Sequence, residues 1–233
     1  MLYYKYRDFG EFSEKIITES SVYFSPVHKL NDPFDCKLSF REDYTPEEII
    51  GKLKDGEKLE DFKKRRDRAK NQMIEEIGVF SLAKSFDNIL MWSHYANEHK
   101  GLVFGFDTLK LDFKMKDTLN NINPIRVEYN CTYKELSYIE DMKIELPKLM
   151  LTKYKDWQYE NEYRMIDLYQ NGAKKFPKKA LSTIIFGAKS DECHMEEFIE
   201  LCKHHDFGHV KFKKAKIVDG KFQLKFEEII GVF

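Results

Sequence analysis

One short stretch places acids, a base and aromatic rings at a spacing that chemistry can use: Trp157-Gln-Tyr-Glu-Asn-Glu-Tyr-Arg-Met-Ile-Asp-Leu168. From Tyr159 to Leu168 polar and apolar residues alternate in the two-residue period of a strand. On that reading Tyr159, Asn161, Tyr163, Met165 and Asp167 share one face, and Glu160, Glu162, Arg164, Ile166 and Leu168 share the other. Glu160 and Glu162 then stand about 7 Å apart along one strand face. Two such carboxylates repel unless water, a cation or a ligand keeps them. One outcome is a solvated edge strand in which Arg164 neutralises its neighbours. The other is an acid-lined cleft with Glu162 as its chemical group.

A second candidate is Met91-Trp-Ser-His-Tyr95, on a segment that reads as a helix. Met91 and Tyr95 fall on one helical face. Trp92, Ser93, His94 and Tyr95 in succession are an unusual load for core packing, so both core and ligand-stacking roles stay open. Metal spacings are not met. His94 and His99 are five apart rather than four, and Cys193 and Cys202 lie about half a helical turn out of register. Neither a Gly-x-Gly-x-x-Gly run nor a P-loop appears, which argues against ordinary nucleotide-binding folds. Five basic residues between Lys63 and Arg68 could meet phosphates, but they also suit a solvated helix face.

The elements that must position these residues fit one α+β domain over residues 1–233, with no repeat, linker or low-complexity tract. The content of 19 Phe and 13 Tyr suits a strand-rich fold with stacked rings. Strands are expected at Leu2 to Asp8, Val22 to Ser25, Gly78 to Ala83, Gly101 to Phe106, Val127 to Tyr133 and Leu181 to Gly187, then at Val210 to Lys213 and Lys221 to Phe226. Helices are expected at Glu11 to Glu19, Ile89 to Glu98, Tyr138 to Tyr154 (kinked or split by Pro147) and Asp191 to His205. Thr45-Pro-Glu-Glu reads as a helix N-cap with Pro at the first helical position, and residues 45–77 as a helical insertion. Leu30-Asn-Asp-Pro-Phe-Asp35 reads as a rigid turn anchored by Phe34. Gly101 and Gly105 read as sites of close backbone packing.

Thirty-nine basic against 40 acidic residues give a net charge of −1, so no global bias towards nucleic acid exists. Four cysteines without a CxxC pair, and an aromatic N-terminus in place of a signal peptide, point to the reducing cytoplasm. No apolar run approaches the ~20 residues of a membrane span.

The segments Leu2-Tyr-Tyr-Lys-Tyr-Arg7, Leu30-Asn-Asp-Pro-Phe-Asp35, Met91-Trp-Ser-His-Tyr-Ala96 with Gly101, and Trp157-Gln-Tyr-Glu-Asn-Glu-Tyr-Arg164 together resemble a bacterial domain-of-unknown-function family. Some of its members are linked with abortive phage infection. A second resemblance is to the ADP-ribosyltransferase superfamily. It rests on Arg7 in a first strand, Ser81 in a later strand, the helix with Tyr95, and Glu160-Asn-Glu-Tyr163. That resemblance implies a split, mostly antiparallel sheet and NAD as substrate, consumed by an ADP-ribosyltransferase or NAD glycohydrolase acting as a toxin or phage-defence effector. It implies Glu162 on the ribose hydroxyl and the developing cation, and Glu160 orienting or deprotonating an acceptor. Arg7 would grip a phosphate, Ser81 and His94 would bind the dinucleotide, and Tyr95 or Trp92 would stack on nicotinamide. The acceptor would be protein or nucleic acid, and an antitoxin or phage trigger would be a further partner. A non-catalytic module that recognises a phage protein or nucleic acid through the same cleft is the alternative.

Overall fold

A computed structural model describes residues 1–113 and 123–231. In the first half β1 (Leu2–Arg7), α1 (Glu11–Thr18) and β2 (Ser21–Pro26) are followed by β3 (Phe40–Arg41), α2 (Pro46–Ile50) and α3 (Leu59–Glu76). Then come β4 (Gly78–Ala83), α4 (Ile89–Tyr95) and β5 (Leu102–Asp107). Short strands β6 (Ile125–Arg126), β7 (Glu128–Asn130) and β8 (Leu136–Ser137) lead through α5 (Met142–Leu149) to β9 (Thr152–Tyr154) and β10 (Glu162–Asp167). The chain closes with β11 (Gly172–Lys175), β12 (Leu181–Phe186), α6 (Glu192–His204), β13 (Lys211–Ile217) and β14 (Leu224–Glu228).

Ten of these strands form one mixed but mostly antiparallel sheet, with the order β11-β2-β4-β1-β5-β12-β13-β14 and β10 and β6 joined through β4. Within it β12 and β13 run parallel. One edge of β4 pairs with β10 along its whole length, from Glu162 opposite Ala83 to Asp167 opposite Gly78. The other edge is shared. β1 meets it only at Tyr4 opposite Ala83, and β2 takes over at Ser25 opposite Val79. Between these two contacts β1 leaves β4 and follows β5 for six residue pairs. The sheet is therefore split beside Phe80, Ser81 and Leu82.

Ring packing holds the two faces. Phe24, Phe80, Phe104, Phe106 and Phe186 are buried in one cluster with Phe198 of α6, and Phe24 stacks on Phe80 at 5.4 Å. A second cluster joins Ile77, Val79 and Ile166 to Leu146 and Leu149 of α5. A third sets Tyr4, Tyr6 and Val103 against Trp92 of α4. Gly101 and Gly105 have the close contacts expected of them. A Cβ at Gly101 would collide with the carbonyl of Arg7, and one at Gly105 with Thr183.

The expected helical insertion is present as α2 and α3, with a non-helical connection at 51–58. The Thr45 hydroxyl accepts from the Glu48 N–H at 3.3 Å, and Glu48 accepts from the Thr45 N–H at 2.8 Å. Such a reciprocal cap satisfies donors that the first turn cannot. The basic run on α3 is engaged with acids: Arg65 pairs with Glu57 at 2.8 Å and Lys63 with Glu42 at 2.6 Å.

Several expected elements differ, among them the strand over 127–133, reduced to Glu128–Asn130, and the one over 221–226, shifted to Leu224–Glu228. The helix expected over 138–154, kinked or split by Pro147, is shorter: α5 runs from Met142 to Leu149, and residues 152–154 form β9. Pro147 lies inside α5, and the Met150 N–H still bonds the Leu146 carbonyl beyond it. Likewise, β10 begins at Glu162 rather than Tyr159. Residues Lys155–Glu160 form a 3₁₀ helix that ends on Asn161 in the left-handed region, at φ 43°. Asn is among the few residues that adopt this conformation at low cost.

Candidate functional site

The split between β1 and β4 opens into a cleft of about 230 Å³, lined among others by Lys5, Ser81, Tyr95, Lys153, Glu160 and Glu162. Its parts are held by local hydrogen bonds. The Asn88 side-chain oxygen Oδ1 caps α4 by accepting from the Leu90 N–H at 2.9 Å. The Asn88 amide also donates to the Tyr159 carbonyl at 2.7 Å, which ties α4 to the 3₁₀ turn. Tyr95, the last residue of α4, thereby reaches Glu160. Its hydroxyl donates to Glu160 Oε1 at 2.5 Å and accepts from Asn31 Nδ2 at 3.1 Å. At the start of β10 the Glu162 N–H donates to the Tyr129 hydroxyl at 2.8 Å.

The two carboxylates share one ammonium. Lys153 Nζ donates to Glu160 Oε2 at 2.5 Å and to Glu162 Oε2 at 3.1 Å, with Asp35 at 3.7 Å. Arg164 grips Glu162 in a fork, Nε to Oε1 at 2.8 Å and Nη2 to Oε2 at 3.0 Å. The same guanidinium reaches Asp35 at 2.6 Å and the Met150 carbonyl at 2.6 Å. Lys153 and Glu162 are each 5 % exposed and Arg164 is fully buried. Three carboxylates thus meet two cations in a nearly dry site, where unpaired charge is costly.

This asymmetry pulls the two glutamates apart. Burial raises the Glu162 carboxyl, but Arg164, Lys153 and the Ser81 hydroxyl outweigh it and hold Glu162 below the usual carboxylate range. Burial also raises Glu160, and there Lys153 and Tyr95 do not fully compensate, so Glu160 ends above its ordinary value. Lys153 loses by burial and gains more from Glu162, Glu160 and Asp35, and stays protonated. Lys5 differs. Its ammonium donates to the Ser81 carbonyl at 2.9 Å. Burial, with Arg7 nearby, brings it down to about 7 against the pull of Glu162 and Glu160.

Of the residues singled out in the sequence, Glu160, Glu162, Ser81 and Tyr95 come together in the cleft. Glu160 and Glu162 meet there even though they do not alternate on one strand, because the left-handed Asn161 turns Glu160 back towards Lys153. Arg7 lies two residues beyond Lys5 on β1, with its guanidinium 5.7 Å from the Phe12 ring, and Lys5 takes the place in the lining where Arg7 was expected. Trp92 is fully buried, its indole N–H donating to the Phe86 carbonyl at 2.7 Å, so it presents no free face to a ligand. His94 is exposed beside Tyr95 and Tyr159, outside the lining. The turn at 30–35 is anchored by Asp35 and Cys36, whereas Phe34 is 62 % exposed.

Sequence reasoning missed Lys153, Asp35 and Lys5 as members of the site. Lys153 sits in a three-residue strand, too short for periodicity to register and placed by the pattern inside a helix. The one available signal was arithmetic: Glu160, Glu162 and Arg164 leave negative charge in excess, and a buried acid pair needs another cation.

Carboxylates, aromatic rings and two lysines, Lys5 and Lys29, face the cleft together, and its volume lies below the roughly 300–1,000 Å³ typical of whole-ligand pockets. Among the described residues no helix is long and apolar enough to cross a membrane.

No curated protein and no solved structure matches the chain. Residues 91–165, the segment that supplies Tyr95, Lys153, Glu160 and Glu162, match a family described as "Protein of unknown function (DUF2971)".

Proposed function

We propose that the chain consumes NAD, as an ADP-ribosyltransferase or an NAD glycohydrolase of the α+β, split-sheet kind. The observation that carries this reading is the pair of carboxylates in one cleft, with Glu162 forked by Arg164 and Glu160 held by Tyr95 and Lys153. Two carboxylates in unlike surroundings can divide an electrostatic role from an acid–base role. Glu162, kept ionised, stabilises positive charge as the bond between ribose C1′ and nicotinamide breaks and nicotinamide leaves with the bonding electrons. Glu160, raised towards neutrality, takes the proton from the water or acceptor that then bonds to C1′. Tyr95 fixes the orientation of Glu160, and Lys153 keeps the two acids together. A role as a toxin or phage-defence effector accords with the abortive-infection resemblance.

The test is incubation with NAD labelled in the nicotinamide ring. Wild-type protein releases nicotinamide, and Glu162→Gln lowers release by about 100-fold or more, since one well-placed electrostatic group contributes several kcal/mol to the barrier. Thermal unfolding of the variant shows that it remains folded. Wild-type protein that releases no nicotinamide, alone or with protein and nucleic-acid acceptors, sinks the proposal. One observation favours a second reading, a non-catalytic binding module: both oxygens of Glu162 are already held by Arg164. On that reading nucleotide binds and is not cleaved.

A further inference from the structure

A second pocket, of 420 Å³, lies on the other side of Lys153 and is lined by Phe34, Tyr133, Tyr154, Asn130 and Thr152 among others. Three aromatic rings border it and all face solvent: Phe34 is 62 % exposed, Tyr133 43 % and Tyr154 44 %. Rings exposed together at a concave site mark a binding surface rather than a packing fault.

The Phe34 ring is held in this position by its turn. Asp32 Oδ1 accepts from the Phe34 N–H at 2.9 Å, and Asp32 Oδ2 accepts from the Trp157 indole at 2.7 Å. Pro33 restricts the backbone between them. The backbone that carries the ring is therefore ordered by the fold, while the ring itself stays exposed.

Cations are interleaved with the rings. The Lys37 ammonium stands 5.6 Å from the centroids of both Phe34 and Tyr133. Lys134 follows Tyr133 and Lys155 follows Tyr154, both exposed. None of these three lysines forms an ion pair among the described residues. Asp32, which also lines the pocket, bonds only the neutral donors named above, and Glu135 accepts from the Ser39 hydroxyl at 2.6 Å. With exposed Asp156 next to Lys155, these acids offset the charge of the lysines, which remain free to contact a ligand. The wall also contains Thr152 Oγ1, a buried hydroxyl without a hydrogen-bond partner among the described residues.

Flat rings interleaved with unpaired ammonium groups match the alternation of bases and phosphates in a single strand, and stacking tolerates any base sequence. We propose that this pocket binds a base of single-stranded nucleic acid against Phe34 and Tyr133, with Lys37 at the adjoining phosphate. Where the NAD-consuming reading holds, that strand is the acceptor, because Lys153 both lines the pocket and bonds Glu160. The binding claim itself does not depend on that reading.

The experiment is fluorescence anisotropy with labelled single-stranded DNA and RNA of about eight nucleotides, within the span such grooves cover. No NAD is present, so the result stands or falls independently of nicotinamide release. Phe34→Ala or Tyr133→Ala should weaken binding roughly 5- to 150-fold, the range for losing one stacked base. Both residues are exposed, and thermal unfolding of each variant checks that the fold is kept. Lys37→Glu should weaken all sequences alike, and affinity should fall with salt at a log–log slope of about −0.7 per phosphate contacted. Failure of the wild-type protein to bind any single strand overturns the proposal. So does binding that is equally tight in Phe34→Ala, or equally tight to duplex.

Discussion

Removing Lys153 tests the electrostatic account of the cleft most directly. Its ammonium faces Glu160 at 2.5 Å, Glu162 at 3.1 Å and Asp35 at 3.7 Å, and hardly any of it reaches solvent. At an effective dielectric constant of about 20, a pair separated by 3.1 Å is worth about 5 kcal/mol. Desolvation of the ammonium cancels part of this, and loss of one partner from a buried ion network typically costs about 3–5 kcal/mol net. Lys153→Met keeps most of the side-chain volume, so the loss is electrostatic rather than a cavity. It leaves Asp35 and Glu162 to Arg164, and Glu160 with Lys5 as the nearest remaining amine. For a chain of this size the cost corresponds to a melting temperature lower by about 6–20 °C. The pH dependence is the sharper readout. Glu160 already lies above its ordinary value of 4.5, and without Lys153 it rises further. Between 4.5 and the raised value the folded state binds more protons than the unfolded state, so stability falls as pH climbs through that window. Urea unfolding of Lys153→Met should therefore show the full deficit at about pH 8 and a smaller one at about pH 5. A deficit below about 1 kcal/mol at the higher pH, or one equal at both, would refute the reasoning.

Two further outcomes follow from the same geometry. Lys5, which faces Arg7, Glu162, Glu160 and Lys153, has its amine brought from 10.5 to about 7. Between those values the unfolded chain holds a proton that the folded chain has released, so native stability rises with pH there. Lys5→Met should accordingly stabilise the protein most below about pH 7, with the gain fading towards pH 10, as read by melting temperature across that range. A gain independent of pH would show that Lys5 is not desolvated in the native state. Trp92→Phe strands the Phe86 carbonyl and should cost roughly 1–3 kcal/mol by urea unfolding. It should leave nucleotide affinity unchanged, and a loss of affinity without a loss of stability would place Trp92 at the ligand after all.

Much of the scaffold is legible in the sequence because it is dictated locally. The apolar run of β4 and the capping box at Thr45 each place an element within a residue or two of its observed position. The helix expected from Asp191 to His205 likewise lies within a residue of α6. Periodicity and capping depend on neighbours a few residues away, and those are read directly from the chain. Glu160, Glu162, Ser81 and Tyr95 were legible as candidates because their types are uncommon in such settings. Their arrangement was not. Lys153 lies seven residues from Glu160 in sequence but reaches it because α5 ends at Leu149 and the chain turns into β9. Asp35 meets Arg164 across 129 positions of sequence. Lys5 enters the cleft, and Trp92 is withdrawn from it, because β1 parts from β4 after a single residue pair. Residue types thus determined which groups could do chemistry. Only long-range strand pairing, set by burial summed over the whole sheet, decided which of them share a site and in what state of protonation.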